Sequence, residues 1–108
     1  METVNTTNGG LRGNTEKQYS PPMSDTETPY LKIGQRLMAV RQAFTDDTQK
    51  VFAERNGFNP TQYNNWEKGA RRITVDCAER LVERYGLSLD FIYLGKMDGL
   101  SEYARKAL

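Results

Sequence analysis

The side chains with most to offer chemically lie between Asn59 and Arg72. Placed on a helix at about 100° per residue, Thr61, Asn64, Asn65 and Lys68 fall on the side opposite Tyr63 and Trp66. An asparagine amide can pair bidentately with adenine, a threonine can meet the methyl of thymine, and a lysine can reach guanine or a phosphate. Asn59, Pro60, Thr61 and Gln62 stand at the N-terminal end of the same stretch, and Arg71 and Arg72 come after Gly69 in the next loop. Exposed arginines in such a loop can grip a phosphate backbone or enter a minor groove. Taken alone, the row reads as an ordinary solvated helix face.

Other chemistries have little to work with. The 108 residues include no His and one Cys. Ser-His-Asp and Cys-His arrangements are therefore missing, and neither His-ligated nor Cys-rich zinc sites can be assembled. Asp46 and Asp47 are adjacent acids with no ligand cluster around them, and Cys77 beside Ala78 and Leu81 reads as packing. Gly9, Gly10 and Gly13 do not make a phosphate loop, since no strand precedes them and no Gly-Lys-Ser/Thr comes after. One cysteine cannot close an internal disulfide. The longest apolar run, Phe91 to Leu94, is far short of the ~20 residues of a membrane helix, and the start of the chain lacks a signal-peptide pattern. The expectation is a cytoplasmic binding protein, not an enzyme, with no cofactor, metal or membrane.

These side chains have to be carried by something, and the pattern is helical. Residues 1–29 hold few apolar side chains among Thr, Asn, Gly, Ser, Pro and charges, a composition that reads as a disordered tail. From residue 30 to 108 the chain reads as one all-α domain. Thr28 can cap a first helix with Pro29 as its first residue, and Ile33, Leu37, Val40 and Phe44 line one face of it. Thr48 caps a second helix bearing Phe52 and Ala53 and stopped by Gly57. Asn59 and Pro60 open a third, ending at Gly69. Thr74 caps a fourth, with Ala78, Leu81, Val82 and Tyr85 along one side; Glu79, Arg80, Glu83 and Arg84 read as its salt-bridged outer face. Ser88 or Asp90 starts a short fifth, stopped at Gly95. Five helices are expected, with a weak further segment over 101–108.

Two short helices meeting at Gly57, where a tight turn calls for positive φ, and a small Ala53 at the crossing make a helix-turn-helix arrangement. The order Gln49…Ala53…Gly57…Tyr63…Trp66-Glu67-x-Gly69 resembles the Cro/C1-type family of lambda-repressor-like DNA-binding domains. Ile33-Gly34-x-Arg36-Leu37 with Arg41 is similar to that family's first helix, and Arg72 with Tyr85-Gly86-Leu87-Ser88-Leu89-Asp90 to its tail, so the likeness covers roughly residues 30 to 95. Asn56 stands where the family usually has an apolar residue, and the stretch from Arg41 to Gln49 is one residue longer than usual. The resemblance implies a compact five-helix fold and a third helix that enters the major groove by its N-terminal end. It also implies a phosphate contact from Gln49 and an ion pair between Arg41 and Glu67. The site expected on this basis is Gln49, Asn59, Pro60, Thr61, Gln62, Asn64, Asn65, Lys68, Arg71 and Arg72.

A chain of this kind is expected to be a repressor-like regulator that binds double-stranded DNA as a homodimer. Its dimer surface would lie after the fourth helix, among Phe91, Tyr93, Leu94, Leu100, Tyr103 and Leu108, though the same residues could simply close the core. An antitoxin or adaptor taking a protein partner on the C-terminal segment is the alternative. The formal charge of +1 does not oppose DNA. Residues 1–29 carry −2 and residues 30–108 carry +3, and the whole of that excess falls between Arg55 and Arg72, with four basic residues and one acid.

Overall fold

Of the six helices among the described residues, 28–108 of a computed structural model, five begin at a side-chain oxygen that accepts from the backbone N–H three residues on. Thr48 caps α2 (Gln49–Arg55), Asn59 caps α3 (Pro60–Glu67), Thr74 caps α4 (Val75–Tyr85), Ser88 caps α5 (Leu89–Leu94) and Ser101 caps α6 (Glu102–Ala107). Each such cap satisfies an otherwise orphaned donor and contributes ~1 kcal/mol. That matters for helices of six to eleven residues, which do not stand alone in water.

The exception is α1 (Leu31–Phe44), which has no side-chain cap. Thr28 is not its N-cap and Pro29 is not its first residue. The Thr28 hydroxyl donates instead to the Lys68 carbonyl (3.3 Å), and the Tyr30 N–H donates to the Gly69 carbonyl (3.3 Å). The last carbonyls of a helix lack partners within it, and here the end of α3 captures residues 28 and 30 before α1 starts. The tail expected over 1–29 otherwise lies outside the described residues.

The helices close around Leu37, Val40, Phe52, Tyr63, Leu81 and Ile92, all fully buried, so the periodic faces point inward as expected. Burying a large apolar side chain stabilises by about 1.5–3 kcal/mol. Gly34 sets the spacing of α1 against α3, because a β-carbon there would collide with the carbonyl oxygens of Trp66 and Glu67. The segment after α5 is a packed helix, α6. Leu100 and Ala104 are buried, the Ser101 N–H donates to the Gly86 carbonyl (2.8 Å), and the Tyr103 ring lies 5.5 Å from Phe44.

On the outer side of α4 the expected salt bridges are not formed. Among the described residues neither Arg80 nor Arg84 pairs with a carboxylate. Arg80 Nη1 donates to the carbonyl of Gly57 (3.0 Å), and Arg84 Nη1 to the carbonyl of Arg55 (3.2 Å) and to Asn56 Oδ1 (3.4 Å). The end of α2 offers fixed, unsatisfied acceptors, whereas Glu79 and Glu83 are exposed and keep their water. Asn56 is thereby explained in a position expected to be apolar. It is buried, its amide donates to the Phe52 carbonyl (2.9 Å) and its oxygen faces Arg84.

The long loop before α2 is pinned as well. Arg41 Nη1 donates to the Asp47 carbonyl (3.0 Å), and Arg55 pairs with the Asp47 carboxylate through two bonds of 2.7 and 2.9 Å. Asp47 is thus a tether for the start of α2 and not a free loop acid.

Candidate nucleic-acid interface

The turn from α2 to α3 directs one face of α3 outward. Gly57 adopts φ 77°, and the Phe58 N–H folds back onto the Ala53 carbonyl (2.7 Å). Ala53, fully buried, leaves room for the crossing. Phe58 then packs edge-on against Trp66 (5.5 Å) and stacks beside Tyr63 (6.1 Å), which locks the inner face of α3.

With Tyr63 and Trp66 inside, Thr61, Gln62 and Lys68 are exposed and Asn64 and Asn65 half-buried. None of these five side chains has a hydrogen-bond partner among the described residues. Asn59 is exposed but its oxygen is spent on the cap of α3, accepting from the Gln62 N–H (3.0 Å); Pro60 is the first residue of the helix. Arg71 and Arg72 are exposed on the loop beyond Lys68. Gln62, Asn65, Arg71 and Arg72 together line a shallow hollow of about 240 Å³ with Trp66 and Thr74. Two of the residues expected from α3, Gln62 and Asn65, and the two expected from the loop beyond it therefore share one surface.

Gln49 is placed differently from the rest. Its side-chain nitrogen donates to Glu67 Oε1 (2.7 Å), tying the start of α2 to the end of α3. Glu67 also receives Arg41 Nε at 2.8 Å and Nη2 at 3.0 Å, with the Glu67 side chain 1% and that of Arg41 14% exposed. The ion pair implied by the family resemblance is present, with Gln49 as its third member. Burial alone would raise the Glu67 carboxyl. Hydrogen bonds from Arg41 and Gln49, together with the Arg41 charge, outweigh it and hold the group below its ordinary value. Burial pushes the Tyr63 hydroxyl far up, so it stays neutral. The second N–H of the Gln49 amide carries no protein partner among the described residues.

The basic residues sort by what their donors do. Arg36 donates to the Ile92 carbonyl (3.1 Å), and Arg41, Arg55, Arg80 and Arg84 are engaged as described. Lys68, Arg71 and Arg72 have neither a carboxylate nor a carbonyl within bonding distance among the described residues. Lys32, Lys50 and Lys96 are likewise exposed and unpaired elsewhere, but among the described residues the two arginines without such a partner, Arg71 and Arg72, both lie here, beyond the C-terminal end of α3.

One neighbour of this surface carries no sequence signal. Tyr93 on α5 lies under Arg72, with the guanidinium carbon 4.8 Å from the ring centroid, and its hydroxyl donates to the Ile73 carbonyl (2.7 Å). Its place at the edge of a short apolar helix marks it only as core or interface.

Among the described residues no three His, Cys, Asp or Glu side chains gather as a metal would need, and no helix is long and apolar enough to cross a membrane. Residues 46–92, from the loop before α2 through Ile92 of α5, match the helix-turn-helix family. Among curated proteins and among solved structures, none matches the chain.

Proposed function

From the premise that residues 46–92 are a helix-turn-helix domain of the Cro/C1 type, we propose that this chain is a sequence-specific transcriptional regulator, a repressor that reads the major groove with α3. Residues 30–108 would act as its DNA-binding domain, with α6 as a helical extension. The observation that carries the reading is the outer face of α3 and the loop beyond it, where Gln62 and Asn65 border one hollow with Arg71 and Arg72. Thr61, Gln62, Asn64 and Asn65 offer unspent amides and a hydroxyl, and Lys68, Arg71 and Arg72 offer unspent cations.

In that mechanism Lys68, Arg71 and Arg72 set the position of the domain on the phosphate backbone, and the amides of α3 read base edges. Gln49 would direct its remaining N–H, at the start of α2, to a phosphate. A helix N-terminus favours an anion there, and the bond to Glu67 orients the amide. Asn59 and Pro60 would shape the entry of α3 more than they touch DNA. Occupying an operator would exclude polymerase. With local charge of only +3 between Arg55 and Arg72, non-specific attraction is modest and specific contacts carry more of the affinity.

A homodimer would place two α3 helices in half-sites about 34 Å apart. Phe91 and Leu100 are core residues, so the surface left for a second copy centres on Leu94, 62% exposed, with Met97, 38% exposed, three residues on. Tyr103, 69% exposed, could serve a partner protein in the antitoxin or adaptor reading.

Selection of bound sequences from random duplex DNA tests the proposal. The parent should enrich one motif. Asn65→Ala should change the preferred base at one position at a cost of ~1–3 kcal/mol, whereas Arg71→Ala should weaken all sequences alike and reduce the salt dependence. No enrichment at low salt would reject DNA binding.

A further inference from the structure

Arg72 and Tyr93 are 21 residues apart in the chain, on different elements, and the fold stacks one on the other. We propose that Tyr93 is a positioning residue for DNA binding, whose ring holds the Arg72 guanidinium ready for a backbone phosphate. The inference rests on the DNA-binding reading above.

Three observations support it. First, the ring is held in register with the loop that presents Arg72. Its hydroxyl donates to the carbonyl of Ile73 (2.7 Å), the next residue, and Ile73 is itself buried in the core. Second, a guanidinium lying over an aromatic face keeps its N–H groups at its edge, available to a planar or tetrahedral anion. Third, those N–H groups are unspent among the described residues. Arg80 supplies the contrast. It also lies over a ring, Phe58 at 5.8 Å, yet its Nη1 is occupied by the Gly57 carbonyl at 3.0 Å. Stacking with spent donors makes a structural clamp; stacking with unspent donors makes a receptor for an oxyanion. The Arg72 group borders the same hollow as Gln62 and Asn65 of α3, where a nucleic-acid backbone would pass.

Ordering a long side chain at an interface costs an amount equivalent to about a three- to tenfold change in affinity. Tyr93 meets that cost during folding, before DNA arrives. Arg71, next in the loop and without such a support, still has to meet it on binding.

The test measures affinity of the full chain for its selected duplex across a salt series. Tyr93→Leu should bind about three- to tenfold more weakly with the same preferred sequence, and Tyr93→Phe, which keeps the ring, should stay within about twofold of the parent. Arg72→Ala should reduce the salt slope by about 0.9, one phosphate contact, and Tyr93→Leu added to it should cost nothing further. Arg72→Lys, a change at an exposed residue, keeps the charge and loses the guanidinium that lies over the ring. It should weaken binding as Tyr93→Leu does with the slope retained, and it decides the matter if Tyr93→Leu fails to fold. The proposal is overturned if Tyr93→Leu costs as much in the Arg72→Ala background as in the parent, if it tightens binding, or if Arg72→Lys binds like the parent. An unchanged Arg72→Ala in a chain that still selects a motif removes this inference alone; a parent that selects no motif removes the DNA reading with it.

Discussion

Two pairs of arginines lie on either side of the start of α4. Arg80 and Arg84 spend their donors on the end of α2, on the carbonyls of Arg55 and Gly57 and on Asn56. Arg71 and Arg72 spend theirs on nothing among the described protein groups. All four are exposed by area, and all four are equally basic in sequence. What separates them is the supply of acceptors. A helix C-terminus leaves carbonyls without partners, and Arg80 and Arg84 face one. Arg71 and Arg72 come just after the C-terminus of α3, where the Lys68 and Gly69 carbonyls already accept from Thr28 and Tyr30. An exposed arginine is therefore no index of a binding surface until its donors have been traced to their partners.

The largest effect expected along this divide is at the most committed charge. Glu67→Gln should destabilise the fold by ~3 kcal/mol, because Arg41 loses its buried counter-charge. Thermal unfolding checks this, and a variant melting with the parent would place Arg41 and Glu67 among the idle charges. The same pair predicts a pH dependence. The Glu67 carboxyl titrates below its ordinary value of 4.5 in the fold. Its contribution is therefore complete above that value and is lost as pH falls through the folded value. Melting temperatures of the parent should drop across that acid range more steeply than those of Glu67→Gln.

Next in size comes Arg84→Ala. Removing its bonds to the Arg55 carbonyl and Asn56 Oδ1 should cost ~1 kcal/mol of stability by denaturant unfolding, with DNA affinity unchanged. A loss of affinity without a loss of stability would move Arg84 to the binding side of the comparison. The smallest change in stability belongs to Lys68→Ala and Arg71→Ala, each expected within ~0.5 kcal/mol of the parent. Each should nonetheless lower the slope of log affinity against log salt by about 0.9. If either melts early, its charge is structural and the divide is drawn in the wrong place.

Much of the architecture was legible because it depends on neighbours in the chain. Caps at Thr48, Asn59, Thr74 and Ser88, the turn at Gly57 and the inward set Phe58, Tyr63 and Trp66 come from local chemistry and helical period. The misreadings share one cause, a partner distant in sequence. Thr28 was taken from the start of α1 by the Lys68 carbonyl, 40 residues on. Glu79 and Glu83 have the spacing to pair with Arg80 and Arg84, but the carbonyls of α2 won the arginines. Asn56 stood out against its family pattern until Arg84 supplied a partner. The candidate site was legible as a row of residues on α3 and the loop beyond, and not as a surface, since the support beneath Arg72 comes from α5.

By itself, then, the sequence determined where α2 to α5 start and stop, though not where α1 starts, which face of each turns inward, and which side chains face out along α3. These depend on periodicity and on hydrogen bonds between near neighbours. Only the tertiary structure decided how the polar and charged groups were shared out: that Gln49 joins Arg41 on Glu67, that Arg80 and Arg84 are consumed by α2, and that Lys68, Arg71 and Arg72 are left over. The physical reason is that a charged donor goes to whichever acceptor the packed chain has already stripped of water and fixed in place. Which acceptors those are depends on how the helices cross.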